Sequence, residues 1–156
     1  MPGVDRLERA FVVGLGEVGR RVAAALGAYG CEVVEVRREA GWDRVRSAEA
    51  GPRILCVREE ALPEVLARLA AVPARDLVAL QNGWIRELLP ARDVTRGLIW
   101  FTSKGEFFRC LRPSPFVGPW AADLAAALSA HGIPALAVAA GEFDRLDADK
   151  MGFNCV

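Results

Sequence analysis

The sequence predicts an α/β fold built on a doubly wound, mainly parallel sheet, with helices on both faces and antiparallel strands at one edge. Two observations support this prediction. Apolar runs of strand length alternate along the chain with stretches whose apolar residues recur at helical spacing. The first run leads directly into three closely spaced glycines and then into a helical stretch. Strands that alternate with helices are joined by crossover connections, which favour a parallel sheet.

The first strand, turn and helix carry the most specific pattern in the chain. An apolar run over residues 10–13 enters Gly14-x-Gly16-x-x-Gly19, and a helix is predicted over residues 20–29. This is the dinucleotide-binding fingerprint: Gly14 permits a tight turn, Gly16 admits a pyrophosphate, and Gly19 lets the helix pack on the strand. The phosphates then lie at the helix N-terminus. We therefore predict a Rossmann-type fold whose cofactor contacts Gly14, Leu15, Gly16, Glu17, Val18 and Gly19.

The elements that follow keep the same order of strands and helices. Strands are predicted at residues 31–36, 52–57 and 76–80, with a helix at residues 61–71. Residues 97–101 and 106–111 are extended segments joined by a turn, which predicts the antiparallel edge strands. A helix at residues 120–131, a strand at 135–138 and a last helix from Gly141 complete the chain. The length and the 53% hydrophobic content suit one domain over residues 1–156.

The composition favours a small-molecule partner. Twenty basic and twenty acidic residues cancel, so no global field attracts nucleic acid or an anionic membrane. No run approaches the roughly 20 apolar residues of a membrane span, and the first ten residues are too charged for a signal peptide. We therefore expect a cytoplasmic protein that binds neither nucleic acid nor membrane.

The cysteines and the single histidine do not predict a metal site. Cys31, Cys56, Cys110 and Cys155 are widely separated, and no C-x-x-C pair occurs. Cys31 and Cys56 fall in apolar strand-like runs, where we expect buried, reduced thiols. His131 is expected at the C-terminal end of a helix, where a cation is favourable.

Four predicted loops meet at one edge of the sheet, because ligands of a parallel sheet bind beyond the carboxyl ends of its strands. They contain residues 14–19, Arg37-Arg38, Arg58 and residues 81–83. Arg37 occupies the position where an NAD-binding protein usually has an acidic residue for the ribose, so Arg37 and Arg38 predict NADP(H). Two alternatives stay open: a strand register shifted by one, which would make Glu35 a ribose acceptor, or a solvated cluster of loop charges.

In order and approximate spacing, the motifs resemble those of the ketopantoate reductase (2-dehydropantoate 2-reductase) family, over its N-terminal domain. The resemblance rests on the glycine turn, an arginine after the second strand at Arg38, the Gln81-Asn82-Gly83 turn, and Lys150-Met-Gly-Phe-Asn154-Cys155. It implies NADPH-dependent reduction of a 2-oxo acid, ketopantoate especially, in pantothenate synthesis. Arg58 stands where the family commonly has a lysine near the cofactor, and Ala148 replaces a frequent aromatic residue before the catalytic lysine.

The resemblance also assigns roles to residues of the predicted site. Lys150 would be the catalytic lysine, Asn154 would bind substrate, and Asn82 would lie near both the nicotinamide ribose and the substrate. An ammonium group can stabilise and protonate the ketone oxygen that becomes negative as hydride arrives. Lys150 and Asn154 are four residues apart, so a helix presents both on one face.

The family continues into a helical C-terminal domain, which this sequence lacks. The resemblance makes that domain the source of the acidic catalytic residue and of much of the dimer contact. We expect either a homo-oligomer or a complementing C-terminal domain. Two alternatives to a reductase remain open: a non-catalytic NADP(H)-binding module or inactive remnant, and a Rossmann domain of another dehydrogenase with Lys150 on a solvated helix face.

Overall fold

The computed structural model describes residues 7–82, 85–90 and 93–154, without the side chains of residues 153 and 154. Strands and helices alternate through most of this range. The strands are β1 (Arg9–Val13), β2 (Glu32–Val36), β3 (Arg53–Leu55), β4 (Leu77–Ala79), β5 (Thr95–Gly97), β6 (Phe101–Lys104), β7 (Phe107–Cys110), β8 (Ser114–Val117) and β9 (Ala135–Ala137). The α-helices are α1 (Glu17–Ala28), α2 (Trp42–Val45), α3 (Leu62–Arg68), α4 (Ala121–Ala130) and α5 (Ala140–Asn154).

Seven strands form the main sheet, in the order β2-β1-β3-β4-β5-β8-β9. The first five strands in this order run parallel to one another. β8 pairs antiparallel with β5 and parallel with β9. The chain leaves β1 towards β2 and then crosses back to β3 on the other side of β1. The strand order therefore reverses between β1 and β3, and such a switch point opens a crevice beyond the carboxyl ends of the two strands.

Both faces of the sheet are covered, as predicted. Side chains alternate along β1, so Val12 packs in the core beneath α1 and α4, whereas Phe11 and Val13 pack in the core beneath α2 and α3. A third cluster holds Leu98, Trp100 and Phe143, where α5 covers the segment after β5. Strands buried on both faces are continuously apolar, which explains why their sequences read as short apolar runs.

The antiparallel strands differ in place from the prediction. A hairpin does turn near residue 105, but its first strand, β6, begins only where the predicted segment 97–101 ends, and β6 and β7 make a two-stranded sheet of their own. The antiparallel partner in the main sheet is β8, which the sequence did not predict because Pro113 and Pro115 argue against a strand. Pro115 still joins the sheet through its carbonyl oxygen, which accepts a hydrogen bond from the Leu98 N–H at 3.0 Å.

A fully buried arginine holds the connection between β2 and β3. Arg53 lies in β3 and is 1% exposed. Its guanidinium donates to the carbonyl oxygens of Val45 (2.9 Å), Gly51 (2.7 Å) and Ser47 (2.8 Å), and its Cζ lies 4.2 Å from the centre of the Phe11 ring. One side chain thus satisfies three carbonyl groups of a loop that has little regular structure of its own.

Cys31 and His131 occupy the kinds of position that the sequence predicted, whereas Cys56, which was expected to be buried, is partly exposed. Cys31 is buried, Cys56 and Cys110 are partly buried, and all three are free thiols. Burial raises the pKa of Cys31 to about 11 and that of Cys56 to about 12, so both thiols stay protonated. His131 follows the last residue of α4 as its C-terminal cap. Cys155 lies outside the described residues.

Candidate functional site

A cleft of about 830 Å³ lies at the carboxyl ends of β1, β3 and β4. It therefore opens at the topological switch point, where the fold places a ligand. It brings together predicted residues from three of the four loops. Its walls contain Leu15, Gly16, Glu17, Val18, Arg20, Cys56, Val57, Arg58, Glu59, Glu60, Leu80, Gln81 and Asn82.

The three glycines shape the wall of this cleft. Gly14 has a φ of +91°, and an added Cβ would lie 3.0 Å from Val57 and 3.1 Å from the backbone of Cys56. A Cβ on Gly19 would lie 1.9 Å from the carbonyl oxygen of Gly14, so helix and strand approach too closely for any side chain there. A Cβ on Gly16 would meet no described atom within 4 Å. Gly14 and Gly19 therefore permit the turn itself, while Gly16 keeps open space in front of it.

The first turn of α1 suits a phosphate group. Gly16 is the N-cap residue, and no described side chain caps the helix. The N–H groups of the first turn of a helix have no partner within the helix, and together with the helix dipole they favour an anion. The open space at Gly16 lies at this end of α1. The residues present therefore fit the pyrophosphate of a dinucleotide.

Glu17 introduces a negative charge at this point. Its carboxylate accepts hydrogen bonds from Arg20 (2.6 Å), from the hydroxyl of Ser103 (3.1 Å) and from the N–H of Gly105 (3.4 Å). The Gly105 N–H, with the Ser103 hydroxyl and Arg20, holds the pKa of Glu17 below its usual value. Glu17 thus stays ionised in the first turn of the helix.

At the end of β2, Glu35 and Arg37 lie side by side as the acidic and the basic candidate for binding the adenosine ribose. Val34 and Val36 are buried, whereas Glu35 and Arg37 are exposed on the opposite side. The Nη2 atom of Arg37 lies 3.1 Å from Oε2 of Glu35. Both side chains line a smaller groove of about 350 Å³, which shares Leu15 with the cleft. Arg38 is exposed and lines neither cavity, and its carbonyl oxygen accepts a hydrogen bond from the indole of Trp42.

Gln81 is a buried polar residue of the cleft wall, to which the sequence assigned no separate role. Its Nε2 donates to the carbonyl oxygens of Leu55 (2.8 Å) and Val57 (2.9 Å), which joins the carboxyl ends of β3 and β4. Asn82, the next residue, is exposed at the rim. The hydrogen bonds of Gln81 therefore set the position of Asn82. Gly83 lies outside the described residues.

Lys150 lies on α5 and is not among the residues that line the cleft. It is 6% exposed, its Nζ donates a hydrogen bond to the carbonyl oxygen of Ile99, and it lies 4.9 Å from the centre of the Trp100 ring. Burial lowers its pKa from 10.5 to about 8, against an opposing effect of Asp147. Ile99 follows the carboxyl end of β5, so Lys150 reaches the same edge of the sheet as the cleft. The side chain of Asn154 is not described.

A second cavity, of about 590 Å³, lies between α5 and the start of β5. The sequence did not predict it. The charges near it are paired: Arg86 contacts Asp144, and Nη1 of the buried Arg96 lies 3.2 Å from Oδ2 of Asp147.

Among the described residues, no cluster of three potential metal ligands occurs, and no helix is long and apolar enough to cross a membrane.

The strand order, the glycine turn and the cleft at the switch point define a Rossmann-type dinucleotide-binding fold. Among solved structures, the chain is similar to the dimeric ketopantoate reductase from Staphylococcus aureus, with a TM-score of 0.65 and 17% identity over 84% of this chain. It is also similar to a ketopantoate reductase from Ralstonia eutropha JMP134, with a TM-score of 0.61 and 18% identity over 83% of this chain. A further similar structure is D-mandelate dehydrogenase in complex with NADH, with a TM-score of 0.59 and 18% identity over 83% of this chain.

These similarities confirm the predicted fold. The chain spans 60%, 56% and 55% of the lengths of those three proteins, in the same order. No sequence model of a protein family matches the chain, and no curated protein matches its sequence.

Proposed function

We propose that this chain binds NADP(H) in the cleft and forms the cofactor-binding part of a reductase for 2-oxo acids, of the ketopantoate type. The observation that carries the proposal is the glycine turn, whose open side at Gly16 faces the cleft at the switch point between β1 and β3. The fold shared with ketopantoate reductases and with an NADH-bound dehydrogenase supports the proposal. The reaction would belong to pantothenate synthesis in the cytoplasm.

Three parts of the cofactor then have a partner in the chain. The first turn of α1 would hold the pyrophosphate, Arg37 and Arg38 the 2′-phosphate, and Arg58 would add a positive charge beside the cleft. Asn82 would contact the nicotinamide ribose from the rim that Gln81 supports. When bound, the nicotinamide supplies the hydride, while the chain orients it.

Lys150 would donate the proton to the reduced substrate. An amine with a pKa near 8 is a suitable general acid at neutral pH, because it is protonated and still gives up its proton readily. To reach a substrate, its Nζ would have to leave the carbonyl oxygen of Ile99. Asn154, one helical turn further, would bind the substrate. A complementing C-terminal domain would provide the acidic residue.

A non-catalytic NADP(H)-binding module is the second candidate. The observation that favours it is the position of Lys150, which is buried against Trp100 and does not line the cleft. Turnover of ketopantoate with NADPH, lost in Lys150→Met while NADPH binding is retained, supports the reductase. NADPH binding without any turnover, with or without an added C-terminal domain, supports the module.

The test of cofactor binding is a parallel calorimetric titration with NADPH and NADH at one salt concentration. Gly16→Ala places a methyl group in the open space before the helix, and we expect it to weaken NADPH binding at least tenfold without unfolding the protein. Gly141→Ala is the matched control, because Gly141 is an exposed helical residue that lines neither the cleft nor the groove at β2, and its Cβ also meets no described atom within 4 Å. Binding of neither nucleotide by the wild type, or equal affinities of the two glycine variants, contradicts the proposal.

A further inference from the structure

The β6–β7 hairpin is attached to the first turns of α1 by a small network of hydrogen bonds. The guanidinium of Arg21 donates from Nε to Oγ of Ser103 (2.9 Å) and from Nη2 to the carbonyl oxygen of Gly105 (3.0 Å). Its Cζ also lies 4.8 Å from the centre of the Phe108 ring. Among the described strands, the hairpin forms no pairing with the main sheet, so these contacts hold its turn beside α1, together with Phe101 and Phe108, which pack with the core beneath α1.

The same network holds Glu17. Oγ of Ser103 accepts from Arg21 and lies 3.1 Å from Oε2 of Glu17, to which it donates, while the N–H of Gly105 lies 3.4 Å from Oε1. Ser103 and Gly105 lie outside the lining of the cleft, whereas Arg20, the remaining partner of Glu17, lines it. Glu17 itself lines the cleft, and the two hairpin partners hold its carboxylate on the side of α1 where the hairpin lies.

This arrangement matters because two anions suit the same end of the helix. A carboxylate in the first turn is favoured by the helix dipole, and so is a phosphate. Glu17 and the pyrophosphate therefore compete for the same positive potential and repel each other. At separations of several ångströms near a protein surface, two like charges change a binding constant several-fold.

We propose that Ser103 is a positioning residue for dinucleotide binding, because it holds the Glu17 carboxylate against the hairpin and away from the pyrophosphate. This inference rests on the proposed function and assigns the hairpin a part in it. Loss of the Ser103 hydroxyl would release Oε2 of Glu17 towards the cleft. The effect would then depend on the negative charge of Glu17, which an effect on hairpin stability alone would not.

The experiment measures NADPH affinity in four single variants and one double variant beside the wild type. We expect Ser103→Ala to weaken binding roughly three- to tenfold, and Ser103→Thr, which keeps the hydroxyl, to restore it. Thr102→Ala is the matched control, because Thr102 is the exposed neighbour on the other face of β6. Glu17→Gln keeps the shape but removes the charge, and we expect it to tighten binding.

The double variant separates the proposed role from a merely structural one. In the Glu17→Gln background, Ser103→Ala should change the affinity less than twofold, since no carboxylate is released. A Ser103→Ala affinity equal to that of Thr102→Ala, or a loss as large in the Glu17→Gln background as in the wild type, overturns the role of Ser103 while leaving the proposed function intact. If the wild type binds no dinucleotide, the proposed function fails, and this role of Ser103 fails with it. Glu17→Gln carries the test if Ser103→Ala does not fold: unchanged or weaker binding overturns the inference.

Discussion

The amine of Lys150 donates a hydrogen bond to the backbone carbonyl oxygen of Ile99, two residues beyond the end of β5. Lys150, which the family resemblance makes the catalytic lysine, is thus hydrogen-bonded to the main chain, and the indole of Trp100 lies beside it. Burial disfavours its charged form, which is why its pKa is lowered to about 8. The burial of Lys150 therefore affects the stability of the folded protein as well as the chemistry of the amine.

We expect the free energy of unfolding to rise between about pH 8 and pH 10.5. In this window the folded protein has released the Lys150 proton, whereas the unfolded chain still binds it, so a higher pH favours the folded state. Below about pH 8 both states are protonated and the burial cost is fully present. Denaturant titrations across this range should show a gain of about 1–2 kcal/mol after allowance for solvent screening.

Lys150→Met is the control for that gain, because it removes the titrating group and keeps an apolar side chain of similar length. The difference in unfolding free energy between the variant and the wild type should shrink or change sign as the pH rises. A pH dependence shared equally by both proteins would contradict the assignment to Lys150.

The choice between NADPH and NADH should depend on the Glu35–Arg37 pair. Arg37→Ala removes a guanidinium that would contact the 2′-phosphate, so we expect about a tenfold loss of NADPH affinity with little change for NADH. Glu35→Gln releases Arg37 from its partner and should tighten NADPH binding a few-fold. Parallel titrations with both nucleotides test this, and equal losses for NADPH and NADH in Arg37→Ala would show that Arg37 does not contact the 2′-phosphate.

Arg53→Met should destabilise the protein severely. The variant leaves the carbonyl oxygens of Val45, Ser47 and Gly51 without their common donor, in a region where water has little access. We expect a loss of about 3 kcal/mol or more in the free energy of unfolding, measured in denaturant. Arg109→Met, at an exposed position of β7, should change it by less than about 0.5 kcal/mol.

Asp147→Asn should also destabilise the protein, by removing the charge that faces buried Arg96. The side chains of Arg96 and Asp147 are 8% and 14% exposed, so the remaining guanidinium would be left in the interior without its counter-ion. Breaking such a pair costs about 3–5 kcal/mol. Asp149→Asn, two residues further on an exposed position of α5, is the control. Thermal melts of the two variants that coincide would show that the pair contributes no net stability.

The sequence was most informative where a local pattern has a single physical explanation. The spacing of Gly14, Gly16 and Gly19 predicted the turn, because a tight turn and close helix packing exclude side chains at defined positions. The apolar runs predicted β1 to β4 because a strand buried on both faces needs apolar residues throughout. Arg58, Asn82 and residues 15–18 were expected in one cleft, and the parallel order of the strands brings them there.

Other features escaped the sequence because they depend on partners far away in the chain. β8 contains Pro115, which argues against a strand, and only pairing with β5 and β9 makes it one. The buried positions of Arg53 and Arg96 are not visible in a sequence, because an arginine is normally exposed. The unexpected cavity beside Arg96 likewise exists only through the packing of α5 against β5.

The sequence by itself determined the βαβ order, the glycine turn and the edge of the sheet at which the cleft lies. These follow from backbone sterics and side-chain periodicity, which act over a few residues. Tertiary structure alone decided that Glu17 faces Ser103, 86 positions along the chain, and that Lys150 lies against Ile99, 51 positions away. Hydrogen bonds and ion pairs between side chains depend on ångström-scale approach, and that approach is set only when the helices and the hairpin have packed around the sheet.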